Sequence, residues 1–181
     1  MRGAVLAAAL ISVVSAGTAI GGETPDNAAI IRGCITAAAK VHRLPPAMLV
    51  ILLNVERGLL GHVSPNTNGT VDIGPIQVNQ IWLPELAAHW HATIADAYSA
   101  LRDNFCANVE AGAWILRRAL DEARGDFWEG VGYYHSHTSE HKARYLRDVL
   151  RQVLRLRTLV EQEATSTRSH VAQVTAPPLA P

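Results

Sequence analysis

The sequence predicts an α+β domain, predominantly α-helical with one small β element. Three observations carry that expectation. Apolar residues recur at helical spacing through most of the chain, as at Ile30, Ile31, Cys34, Ile35 and Ala38. Capping residues, prolines and glycines divide it into helices of ordinary length. One stretch breaks the pattern: "SPNTNGTVD" (Ser64–Asp72) is packed with turn formers, and Asn68-Gly69 is the strongest short-range signal for a hairpin-like turn.

The elements follow in order. Met1-Arg2 and the run "GAVLAAALISVVSA" have the one-charge start and short apolar stretch of a secretory signal, with small residues up to Ala19. Residues 1–19 are therefore expected to be a signal peptide, cleaved near positions 16–22. The run is too short and too alanine-rich for a comfortable membrane span. Asp26 is a cap for a first helix. Pro45-Pro46 restarts the chain, and a second helix runs from about Pro46 to Arg57, with Gly58 as its natural stop. It is apolar on nearly every face, so it belongs at the centre of the fold.

Further helices are expected over Pro84–His91, Ile94–Leu101, Asn104–Ala123 and Phe127–His135. The stretch after Glu140 is a basic amphipathic helix. It has Leu146, Val149, Leu150, Val153 and Leu154 on one side and Arg144, Arg147, Arg151 and Arg155 on the other. Such a face suits a partner or membrane surface, but is more often simply solvated. The folded domain is placed at 26–158, and residues 162–181, poor in apolar groups, are read as a disordered tail.

Composition excludes some function classes. Sixteen Lys+Arg balance sixteen Asp+Glu among 181 residues. No strong field therefore draws the chain to nucleic acid or acidic membranes. Cys34 and Cys106 lie 72 positions apart. In an exported chain they can oxidise to a disulfide, the alternative being two unrelated buried thiols.

The residue that asks for an explanation is Glu56, at the far end of "AMLVILLNVERGLLG" (Ala47–Gly61). Leu52 and Leu53 share its side of the helix. A carboxyl group pressed against them loses hydration, which raises its pKa and suits it to general-acid work near neutral pH. Arg57 is the alternative partner, but adjacent helical residues point about 100° apart. In "DIGPIQVNQIW" (Asp72–Trp82), Gln77 and Asn79 suit a hydrogen-bonding wall facing a neutral, polar ligand such as a sugar. "VGYYHSH" (Val131–His137) offers the phenols of Tyr133 and Tyr134.

Taken in order, Glu56 closing an apolar helix, "GPIQVN", "CANVEAGAWIL" and "GYYHS" resemble the motifs of lytic transglycosylases of the soluble type. The chain is more closely similar to the small exported members that accompany type IV secretion and conjugation systems. The similarity spans about Cys34 to Tyr145. It implies a lysozyme-like fold, a periplasmic or cell-envelope location, peptidoglycan glycan strands as substrate, and subunits of a secretion or conjugation apparatus as partners.

Glu56 would be the single catalytic acid/base. Gln77 would line the cleft, with Gly74 allowing close approach of its strand and Asn79 as a further cleft residue. Tyr134 matches the tyrosine that hydrogen-bonds the catalytic glutamate. Asn108 and Ala111-Gly112-Ala113 match a helix packed behind the site. The family often has Ser after the catalytic Glu, where this chain has Arg57. Its Ala-Tyr-Asn appears here as Tyr133-Tyr134-His135.

The resemblance implies no cofactor: the substrate's 2-acetamido group stabilises the oxocarbenium-like centre and its 6-hydroxyl closes a 1,6-anhydro ring. Asp72 keeps a hydrolytic alternative open, as a second carboxylate across the bond; otherwise it is a turn residue. The histidines are the metal-ligand candidates, with His135, His137 and His141 in one group and His89 and His91 around Trp90 in another. Without "HExxH" no metal site is expected. A scaffold that binds peptidoglycan without cutting it is the remaining reading.

Overall fold

The computed structural model describes residues 26–175. The expected signal peptide, and the tail beyond residue 175, lie outside the described residues. The chain is α+β and predominantly helical, with a small three-stranded antiparallel sheet.

Helix α1 (Asn27–His42) starts at Asp26, whose carboxylate accepts the Ala28 N–H at 3.1 Å. It buries Cys34, Ile35, Ala38, Ala39 and His42. Helix α2 (Pro46–Glu56) buries Leu49 and Leu52 completely. Its stop differs from the expected one. Arg57, not Gly58, takes the left-handed cap at φ 54°, its N–H reaching the Leu53 carbonyl at 3.1 Å. Gly58 is needed for close approach instead, since a Cβ there would lie 2.0 Å from the Gly74 carbonyl oxygen.

Strands β1 (Val63–Pro65), β2 (Val71–Ile73) and β3 (Val78–Asn79) form the sheet in sequence order. Val63 pairs with Ile73, and Asp72 with Asn79. The Asn68-Gly69 turn joins β1 to β2 as the sequence suggests, with Gly69 at φ 83°. A short 3₁₀ turn (Gln80–Trp82) leads into α3 (Leu83–His89), followed by α4 (Ile94–Asp103).

Helix α5 (Phe105–Glu122), capped by the Asn104 side chain, carries the longest buried stripe, from Asn108 to Leu120. It packs on α1 and on α6 (Phe127–His135). The Cys34–Cys106 disulfide joins α1 to α5, with the Cα atoms 4.9 Å apart.

The last helix, α7 (Ser139–Thr175), returns across α2 and α6. Two expectations change here. The buried face is Tyr145 and Val149, with Leu146, Val153 and Leu156 partly covered, whereas Leu150 and Leu154 face solvent. The chain from 162 to 175 is helical rather than disordered. Glu, Gln and Ala are good helix formers, and no proline interrupts before Pro177, so a helix already anchored upstream propagates. The arginine face is solvent-exposed, as expected, and partly paired along the helix through Arg144–Glu140 and Arg157–Glu161. Among the described residues no single helix is long and apolar enough to cross a membrane.

Candidate active site

Glu56 is the final residue of α2, where the helix opens into a polar cavity of about 480 Å³. Its Oε1 accepts the Tyr145 hydroxyl proton at 2.7 Å. Burial raises its pKa from 4.5 to about 7, the Tyr145 bond pulls it back in part, and the charge of Asp72 pushes it up. A helix C-terminus adds a negative dipole end, which further disfavours an anion. Arg57 does not intervene: its Nε donates to the Asn54 carbonyl at 3.1 Å.

Asp72 is a strand residue of β2 and not the turn residue of one expectation. It lines the same cavity, and its Oδ1 accepts Asn79 Nδ2 at 2.7 Å. Asn79 also donates to Thr70 Oγ1 at 2.9 Å and caps the following 3₁₀ turn through the Ile81 N–H. It is a cavity-lining residue that holds both strands in register.

Gln77 lines the cavity as well, its backbone at φ 51° and its Nε2 donating to the Gly74 carbonyl at 2.8 Å. Gly74 departs from its expected role. It stands behind the wall, at φ 70°, and a Cβ there would be 2.4 Å from Asn108 Nδ2. Its close approach is therefore to α5 and not to a ligand.

Asn108 is fully buried and makes three bonds. It accepts the Ile76 N–H at 2.8 Å and donates to the carbonyls of Ile73 at 2.9 Å and Leu101 at 3.0 Å. One side chain thus fixes the whole Ile73–Gln77 turn on α5, in agreement with its expected structural role. Gly112 allows the same seat, since a Cβ there would press Ile76 at 2.7 Å.

The tyrosines are the main correction. Tyr134 lines the cavity but donates to the Ile76 carbonyl at 3.1 Å. Tyr145, not Tyr134, holds Glu56. Burial and the charges of Glu56 and Asp72 push Tyr134 well above the ordinary phenol pKa, and burial and Glu56 do the same for Tyr145, so both stay protonated. His135 stacks on Tyr145 at 4.6 Å between centroids, and its burial lowers its pKa. It is a neutral plate behind the acid. Tyr133 points elsewhere, stacked on His137 at 4.3 Å.

Sequence reasoning missed Tyr145 as the glutamate's partner, although its place at the head of the α7 apolar stripe was the available signal. It also missed Trp82 and Ile115 as cavity walls. The candidate histidine group at 135, 137 and 141 does not converge: His135 stacks on Tyr145, while His137 pairs with Glu122 at 2.9 Å. No protein-family model matches the chain, and no curated protein matches it.

Proposed function

We propose that the protein is a peptidoglycan lytic transglycosylase with a lysozyme-like domain, cleaving the β-1,4 bond between N-acetylmuramic acid and N-acetylglucosamine. The observation that carries this reading is Glu56, with a pKa of about 7, at the wall of an open cavity lined by amides. A carboxylic acid that keeps its proton near neutral pH is what protonation of a glycosidic oxygen requires. Asn66, Asn68, Gln77 and Asn79 suit the hydroxyl and acetamido groups of a glycan, and Trp82 offers an apolar face to a sugar ring.

In this mechanism Glu56 gives its proton to the leaving oxygen while the substrate's 2-acetamido group stabilises the developing positive charge. Glu56, now a carboxylate, takes the proton of the 6-hydroxyl as that oxygen attacks the anomeric carbon. The product is a 1,6-anhydromuramic end, and no water or cofactor is consumed. Tyr145 steadies the carboxylate between the two steps. The N-terminal run read as a secretory signal, together with the Cys34–Cys106 disulfide, fits action in the periplasm or cell envelope, where local wall opening would serve assembly of a secretion or conjugation apparatus.

A second reading rests on Asp72. A carboxylate in the same cavity, charged against Glu56, could complete a lysozyme-type hydrolytic pair. Mass spectrometry of the soluble products from purified peptidoglycan, beside a Glu56→Gln control, separates the two. Anhydro products absent from the control support the lytic reaction, and ordinary reducing ends support the hydrolase. No product from the wild-type protein favours a binding scaffold.

A further inference from the structure

We propose that His42, His89 and Glu110 form a binding site for a divalent transition-metal ion of the zinc class, outside the cavity around Glu56. The three residues come from separate elements: His42 ends α1, His89 ends α3, and Glu110 lies in the second turn of α5. Their ligand atoms all lie within 4.8 Å of one another. Both imidazoles present Nε2 to the same carboxylate oxygen, Glu110 Oε1, His42 at 2.7 Å and His89 at 3.2 Å. In a tetrahedral zinc site, donor atoms about 2.0–2.1 Å from the metal stand roughly 3.3 Å apart. The cluster is therefore within a small side-chain adjustment of ligating geometry.

Two further features separate it from a chance contact. The other oxygen, Glu110 Oε2, accepts the Trp90 Nε1–H at 2.7 Å. Ligating carboxylates are oriented by outer hydrogen bonds of this kind. The His89 ring stacks on Trp114 at 5.0 Å and 24°, which holds its plane. His42 is buried on the inner side, while His89 is 34 % exposed and leaves an approach for the ion. Two histidines and one carboxylate with a fourth position open to water match the donor set of known zinc sites. Bound there, the ion would clip α1, α3 and α5 together on the side of α5 carrying Glu110.

The test is calorimetric titration of untagged, chelator-treated protein with zinc chloride, with circular dichroism confirming the fold of each variant. The expected result is one site per chain. His89→Ala and Glu110→Gln should each weaken it at least tenfold, and Trp90→Phe by about 10- to 100-fold, the usual effect of removing an outer hydrogen bond. His141→Ala should leave it unchanged.

Absence of zinc uptake by the wild type would overturn the site, as would wild-type affinity in His89→Ala or loss of binding in His141→Ala. Cobalt substitution of the wild type provides a readout that needs no variant. The visible absorption of a four-coordinate ion supports the site, and the weak spectrum of a hydrated ion overturns it.

Discussion

Glu56 should make the protein less stable as pH rises, and Glu56→Gln should remove that penalty. The folded state holds the carboxyl at a pKa of about 7, against 4.5 ordinarily. Between those values the unfolded chain has released a proton that the folded chain keeps. Folding stability attributable to this group is therefore full below pH 4.5 and falls until pH 7, above which the loss is constant. At 1.36 kcal/mol per pKa unit, the loss comes to about 3 kcal/mol.

Glutamine is neutral, similar in shape, and still accepts the Tyr145 proton, so the variant lacks the pH-dependent part. Urea unfolding of both proteins from pH 4 to 8.5 measures the difference, in which all other titrations cancel. The two should coincide near pH 4, with the variant ahead by about 3 kcal/mol at pH 8. For a domain of this size that is roughly 6–12 °C in Tm. A difference that does not vary with pH, or a wild type that gains on the variant as pH rises, would show that Glu56 is not held protonated.

Other perturbations test the parts around it. Tyr145→Phe removes the one bond that lowers the Glu56 pKa, so the value should rise above 7 in a carbon-13 NMR titration; a fall would refute the assignment. Asp72→Asn removes a charge that raises it, so the value should drop below 7. The lytic reading then expects anhydro products to persist, whereas the hydrolytic reading expects activity to vanish. Asn108→Ala removes the acceptor of the Ile76 N–H and a donor to the Ile73 and Leu101 carbonyls at a buried position, which should cost about 3 kcal/mol in urea unfolding. Cys34→Ser opens a cross-link spanning 72 positions and should cost roughly 4 kcal/mol on the chain-entropy argument, with an unchanged stability counting against it.

What was legible in the sequence was local. The Asp26 cap, the Asn68-Gly69 turn and the bounds of α6 depend on residues within one turn of each other, and each is found where it was expected. Glu56 could be singled out because a carboxylate closing an apolar run is an anomaly at that same scale. Its partner could not. Tyr145 is 89 positions away, and the choice between two tyrosines is made by how α6 and α7 pack on α2.

Motif order points to Tyr134, but the α6 helix aims it at the Ile76 carbonyl. Gly74 and Gly58 were both recognisable as special, yet what each one makes room for is a tertiary fact. The His42–Glu110 contact, at a separation of 68, carries no local mark at all, so grouping histidines by proximity in sequence included His89 but could not join it to His42 and Glu110.

The apolar character of α2 and the state of Glu56 have one cause. Met48, Leu49, Ile51 and Leu52 anchor the helix in the core, and that packing leaves the last residue half-buried at the cavity wall, with much of its hydration lost. The negative end of the helix dipole and the nearby Asp72 act in the same direction. Only the Tyr145 hydroxyl favours the anion.

That balance matters under the proposed mechanism, in which Glu56 acts first as acid and then as base. Burial alone would keep the proton on and leave the carboxylate too unstable to form after protonating a leaving group. A single phenol donor, itself held protonated, lowers the cost of the anion without neutralising it. A cation such as Arg57 in its place would have pulled the acid toward permanent ionisation. Instead Arg57 is turned back onto the Asn54 carbonyl by its left-handed cap conformation. The termination of α2 therefore bears on the electrostatics of Glu56 as well as on the path of the chain: with the turn at Arg57, the adjacent guanidinium bonds to the Asn54 carbonyl and not to the carboxyl group.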